Sequence, residues 1–307
     1  KWVMASPENE IDLWTEFVDS LTSRYKEDIF HWEIWNEPNL ISGKYWPQNK
    51  LPELFATYTF EAASVIRRNQ PDATILLGGL ATGRKSNPFG LWTSLFELGV
   101  LNAVDGIAYH TYQYTGVDLI DFNKRLSALV SEYTTEKKEY WITEYGVPAI
   151  DSNRFPKFTY EAQSKSLLTS ILVHWATGGE QFFIFSIWDK AVFNPDDTDK
   201  ELRKKRSYYF GLLEKDFSPK PSYAAVNWLS PLLAAHEPVG LQRLSSGVII
   251  MARHKATGKM VYFSWGRHGH QELFKTKGEK NLISVQSSAF QFDLTRTNWK
   301  GLNKSDD

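Results

Sequence analysis

The chain has 307 residues and a mass of 35.3 kDa, enough for one large core or two unequal ones. Its formal net charge of -1, with acidic and basic residues interspersed, argues against nucleic acid or an anionic membrane surface as a partner. The absence of cysteine removes disulfides and thiolate chemistry. No run approaches the roughly 18 apolar residues of a membrane span, and the opening KWVMASPEN lacks the apolar segment of a secretory signal. Secretion is the expected location, with the signal already removed. Aromatic residues make up 15%, including 12 Trp and 14 Tyr, a surplus that suits stacking against sugar faces as well as core packing.

Residues 1–5 read as a short strand entering the Ser6-Pro7 turn. Leu13, Trp14, Phe17, Val18, Leu21 and Tyr25 recur at helical spacing, predicting a helix over 12–25. A strand follows at 31–35 and runs into a loop broken by Pro38, and a helix over 51–69 stops at Pro71. The same grammar predicts strands at 75–77, 104–109, 139–143 and 181–187, and helices at 89–98, 119–134 and 161–177. An exposed helix is expected within 194–206 and a last one within 219–233.

From about residue 240 the period changes. Short strand-like runs at 248–252, 260–265, 281–285 and 289–294, separated by turn signals, predict a small antiparallel β domain. The expected division is therefore a barrel-type domain over 1–237 and a β domain over 238–307 packed on it.

Six strands interleaved with helices indicate a parallel α/β architecture. No Gly-rich phosphate loop follows any strand, and polar residues leave several different strand ends, which favours a (β/α)8 barrel over a doubly wound sheet. Six strands are two short of eight, so either the N-terminal part of the barrel has been lost, or the C-terminal region or a neighbouring subunit covers the gap. Its two sheet edges then need a cover, and a homo-oligomer is one way to provide it.

Two carboxylates stand at strand ends. Glu37 lies in HWEIWNEPN and Glu144 in EYWITEYG. Hydrolysis of a glycosidic bond needs a carboxylic acid that protonates the leaving oxygen and a carboxylate opposite it. Glu37, beside the bulky Trp35, suits the acid role; Glu144 suits the other. His110 and Tyr112, at the end of an intervening strand, are placed to donate hydrogen bonds to Glu144. Trp46, in the loop after Glu37, is a candidate for sugar stacking.

These motifs resemble the clan A glycoside hydrolases, and family 39 and family 5 members most. Trp35-Asn36-Glu37-Pro38 matches the clan's strand-four motif, Ile142-Thr143-Glu144-Tyr145-Gly146 the strand-seven motif, His110-Thr111-Tyr112 the strand-six pattern, and Trp188 the strand-eight tryptophan. The resemblance implies a (β/α)8 fold in which residues 1–6 are strand three and strands one and two are missing, double displacement with retention, and neither cofactor nor metal. It assigns Glu37 as acid/base and Glu144 as nucleophile. It also implies that Asn36 grips the sugar 2-hydroxyl, Tyr112 supports the nucleophile and Trp188 floors the subsite.

The expected protein is a retaining β-glycoside hydrolase of glucan, xylan or mannan type poly- or oligosaccharides, endo-acting. The rivals are an exo-acting β-xylosidase or β-glucosidase and a non-catalytic carbohydrate-binding barrel.

Overall fold

The computed structural model describes residues 10–40, 46–83, 86–150, 158–244, 247–266 and 282–284. The expected strands at 1–5 and 289–294 lie outside the described residues. In chain order the main elements are α1 (Ile11–Tyr25), β1 (His31–Asn36), α2 (Leu51–Asn69), β2 (Thr74–Ala81), α3 (Pro88–Glu97), β3 (Gly106–His110), α4 (Val117–Tyr133), β4 (Glu139–Tyr145), α5 (Tyr160–Ala176) and β5 (Gln181–Ile184). They continue with α6 (Asp199–Lys205), α7 (Pro221–Ala235), β6 (His236–Leu244), β7 (Gly247–His254), β8 (Met260–Gly266) and β9 (Leu282–Ser284).

Local chemistry sets the helix limits. Trp14, Val18 and Thr22 recur every four residues and form the buried face of α1. Pro52 sits in the first turn of α2, where its missing N–H costs nothing. Asn87 caps α3 by accepting from the Gly90 N–H, Thr159 caps α5 by accepting from Ala162 N–H, and Thr198 with Glu201 closes a capping box on α6.

Strands β1 to β5 form one parallel sheet in the order β1-β2-β3-β4-β5. The order never reverses, so there is no switch point of the doubly wound kind; the chain winds one way, as in an incomplete (β/α) barrel. Seven of the eight residues of β2 and all five of β3 are buried, as expected for inner strands covered on both faces. The outer strand β5 alternates between exposed and partly buried positions, and β1 is exposed or partly buried except at Ile34. β5 ends at Ile184, three residues short of the expected 187.

The second sheet has the order β6-β7-β8-β9. β6, β7 and β8 pair antiparallel, and β9 joins β8 in parallel. β6 was not foreseen because Pro238 and Gly240 interrupt its pattern; the pairing register shifts between those two residues, which is how the strand accommodates them.

The chain divides into two compact units. The first comprises Lys1–Gln113, Asp121–Tyr145 and Gly179–Ile184, and holds the parallel sheet. The second comprises Tyr114–Ile120, Gly146–Gly178 and Phe185–Asp307, and holds α5, α6, α7 and the second sheet. No helix among the described residues is long and apolar enough to cross a membrane.

Candidate active site

The first unit gathers four polar side chains at the carboxyl ends of β1, β3 and β4. At the end of β1 the backbone is twice left-handed at residues that carry a Cβ, with φ 74° at Trp35 and 46° at Glu37. Such positive φ values are uncommon outside Gly and are held only where the surroundings over-determine them. Here pairing with β2 resumes past the kink, Asn36 opposite Gly79, and the Glu37 N–H donates to Gly79 O at 2.9 Å. Gly78 permits the kink. A Cβ there would run into the Ile34 carbonyl oxygen and lie 2.7 Å from that of Trp35.

The loop beyond is pinned by Asn39. Its buried side chain donates to Ala81 O (2.8 Å) and Ser86 O (3.1 Å) and accepts from Ala81 N–H (3.0 Å). A side-chain amide that closes a two-way bond with the β2 backbone fixes the exit of the Glu37 loop more firmly than a simple turn would.

His110 ends β3 with its side chain 1% exposed, and its Nδ1 hydrogen-bonds with Glu37 Oε1 at 2.8 Å. The same nitrogen lies 3.8 Å from Glu144 Oε2. The β3–β4 register shifts so that His110 stands opposite Glu144. Tyr112 donates its hydroxyl to Glu144 Oε2 at 2.6 Å. Burial, and then the hydrogen bond to Glu144, push the Tyr112 phenol above its ordinary range, so it remains a neutral donor.

One carboxylate oxygen of Glu37, one of Glu144 and a ring nitrogen of His110 lie within 4.8 Å of one another. Among the described residues this is also the group whose donors could hold a metal ion. A carboxylate oxygen of Glu37 and one of Glu144 thus face each other within 4.8 Å.

Two residues that carry no motif complete the floor. Glu33 Oε1 accepts from Gly79 N–H (2.7 Å) and from Thr143 Oγ1 (3.1 Å). Desolvation raises the Glu33 carboxyl above the usual range, while the Gly79 N–H and the nearby His110 partly offset it; the residue remains open to water, which screens the effect. Gly79 is the reason Glu33 and His110 can share one spot. A Cβ on it would collide with His110 Nε2 and stand 2.6 Å from Glu33 Oε1. The alternation along β1 that put Glu33 on the same face as Glu37 was the available signal for it.

Glu37, His110, Tyr112 and Glu144 are brought together. Asn36 is exposed at the end of β1, next to Glu37. Trp46 is a different matter: it is 4% exposed, and its ring packs edge-on against Trp35 (5.0 Å), Tyr58 (5.3 Å) and Phe55 (5.7 Å). That environment makes Trp46 a core residue and corrects its reading as a stacking surface. Trp188 belongs to the second unit, where it is 45% exposed.

The fold is similar to that of solved glycoside hydrolases over most of this chain. A family 39 glycoside hydrolase from the gut symbiont Bacteroides cellulosilyticus WH2 superposes with a TM-score of 0.63 at 19% identity, over 82% of this chain and 51% of that one. A glucosidase from Croceicoccus marinus gives a TM-score of 0.56 at 15% identity, over 80% and 54%. Xylanase 10B from Thermotoga maritima gives 0.50 at 20% identity, over 76% and 69%. The chain spans about half the length of the first two. At these identities the likeness is one of fold, and it does not single out a family. No family model matches the chain, and no curated protein sequence does.

Proposed function

We propose that the chain is a retaining β-glycoside hydrolase that cleaves glucan, xylan or mannan type chains, with Glu37 as acid/base and Glu144 as nucleophile. The observation that carries the reading is the pairing of two carboxylates within 4.8 Å, each held by a different partner, Glu37 by His110 and Glu144 by Tyr112. Different partners give two chemically similar groups separate roles. The folds of a family 39 hydrolase, a glucosidase and a xylanase support the same class.

In this mechanism Glu144 attacks the anomeric carbon while the Glu37 proton passes to the departing glycosidic oxygen, so the C–O bond breaks and an ester to Glu144 forms. Glu37, now a carboxylate, takes a proton from water, and the resulting hydroxide equivalent attacks the anomeric carbon from the face the aglycone left, breaking the ester bond to Glu144. The Tyr112 hydroxyl holds one Glu144 oxygen and thereby leaves the other to attack. Asn36, exposed beside Glu37, is assigned to the sugar 2-hydroxyl.

Turnover of aryl β-glycosides and of β-linked oligosaccharides tests this. Glu144→Ala should abolish both. Glu37→Ala should cost poor leaving groups far more than activated aryl ones, because only the former need protonation. Equal losses on both substrates remove the acid role from Glu37, and turnover by Glu144→Ala ends the proposal. Product lengths from cellulose, xylan, mannan and mixed-linkage glucan oligosaccharides decide between endo action and the exo action of a glucosidase.

A further inference from the structure

In the second unit the segment that ends in Trp188 runs beside residues 211–213: the Leu213 N–H donates to Ile187 O (2.9 Å) and the Asp189 N–H to Leu213 O (3.0 Å). The chain then reverses and returns with Pro219 bridged to Leu213. The turn is closed by Phe217 N–H to Glu214 O (3.0 Å) and Glu214 N–H to Ser218 O (2.8 Å). Asp216 locks it, its Oδ1 accepting from both the N–H (3.0 Å) and the hydroxyl (2.6 Å) of Ser218.

That turn forces φ to 68° at Phe217, a left-handed position which Gly or Asn fills without penalty and a bulky side chain does not. Core packing does not explain the phenylalanine, because it is 63% exposed. Its ring neighbour is Trp188, at 5.9 Å between centroids and tilted by 52°. Trp188 is itself 45% exposed. A strained backbone therefore presents one exposed ring next to another, and neither local preference nor burial accounts for the choice.

We propose that Phe217 adds a second ring beside Trp188, making an aromatic platform for pyranose rings, and that Phe217 contributes affinity for β-linked oligosaccharides. A pyranose has an apolar C–H face and a rim of hydroxyls. Two open rings flanked in the same turn by the exposed polar residues Lys215, Asp216 and Ser218 match that amphipathic shape. A protein partner would call for a broader apolar surface than two side chains. The choice of sugar rests on the hydrolase reading; the platform itself does not depend on any catalytic step.

The substitution Phe217→Gly separates binding from folding, since it deletes the ring while relaxing the backbone. In a Glu144→Gln background, titration calorimetry with cellohexaose and xylohexaose should show affinity for at least one falling about tenfold on Phe217→Gly, the scale of one aromatic contact. Phe217→Trp should restore it to within about twofold. The melting temperature of Phe217→Gly should equal or exceed that of its parent.

Undiminished affinity in Phe217→Gly, a parent that binds neither oligosaccharide, or a fall of several degrees in melting temperature each overturns the inference. Aryl β-glycoside turnover by the unmodified chain is read separately. Turnover without any Phe217 effect on binding defeats the platform alone. Phe217-dependent binding without turnover defeats the hydrolase reading and sustains the platform.

Discussion

Tyr112 holds one oxygen of Glu144 through its hydroxyl, at 2.6 Å. Its phenol is raised by burial first and by Glu144 second, so it stays a donor across the working range, and the stability this contributes is complete below about pH 10 and lost as pH rises beyond it. A hydrogen bond to a charged group is worth about 1.5–3 kcal/mol. Tyr112→Phe is therefore expected to lower kcat/KM on an aryl β-glycoside by roughly 10- to 150-fold with the fold unchanged by circular dichroism. A variant that keeps most of the parent activity would mean the 2.6 Å bond does not orient the attacking oxygen. Glu37, His110, Tyr112 and Glu144 could be picked from the sequence because each sits where a strand leaves the sheet among polar residues. Glu33 shows only in the strand alternation it shares with Glu37, and Gly79 reads as flexibility; only the collision a Cβ would make with His110 reveals why glycine stands there. Trp46 misleads for the opposite reason, since loop position says nothing about the aromatic cage that buries it.

Elements with strong periodicity were legible, and those that carry breakers were not. α2 presents Phe55, Tyr58, Thr59, Ala62, Val65 and Ile66 to the interior at helical spacing, whereas β6 hides its strand behind Pro238 and Gly240. The joint between the Trp188 segment and α7 was beyond reach of any pattern. Lys220, just before α7, pairs with Asp189 at 2.8 Å, the two side chains 0% and 1% exposed. Lys220 Nζ also donates to Ala149 O (3.0 Å), and Asp189 Oδ1 accepts from Gly211 N–H (2.8 Å). Burial outweighs the lysine's attraction, and the Asp189 carboxyl is pushed up to about 6. Because the folded value lies above the ordinary one, the folded chain holds the proton more tightly. The stability from this source is present below about pH 4 and is lost as pH rises through 6. Lys220→Met leaves that carboxylate buried and unpaired, so a loss of about 3–5 kcal/mol is expected at pH 8, and a smaller one at pH 5 where Asp189 can keep its proton. Urea denaturation at the two pH values checks it; equal losses would mean the ion pair is not what the lysine supplies.

At the scale of the molecule, alternation of strands and helices announced the parallel sheet, and the absence of a phosphate loop pointed to a barrel; the unreversed order β1 to β5 agrees with both. The partition into two units left no trace in composition, since its boundaries fall at strand ends and even within α4. The stereochemistry of the proposed reaction turns on how the assembled sheet places the two carboxylates. β1 and β4 are separated by two strands, yet they bring their carboxylates within 4.8 Å, through the kink at Trp35 and Glu37 on one side and the shifted register at His110 and Glu144 on the other. A water poised to attack directly would need the carboxyls roughly 6.5–9.5 Å apart. In the double displacement proposed above, water enters only after the leaving group has gone, and it then arrives on the face the aglycone vacated. The first product released from an aryl β-glycoside is therefore expected to be the β-anomer, seen by proton NMR within the first minutes and converting to the α form only at the rate of spontaneous mutarotation. Initial release of the α-anomer would show that the two carboxylates move apart in the working enzyme, and Glu144 would then be a base for water and not a nucleophile.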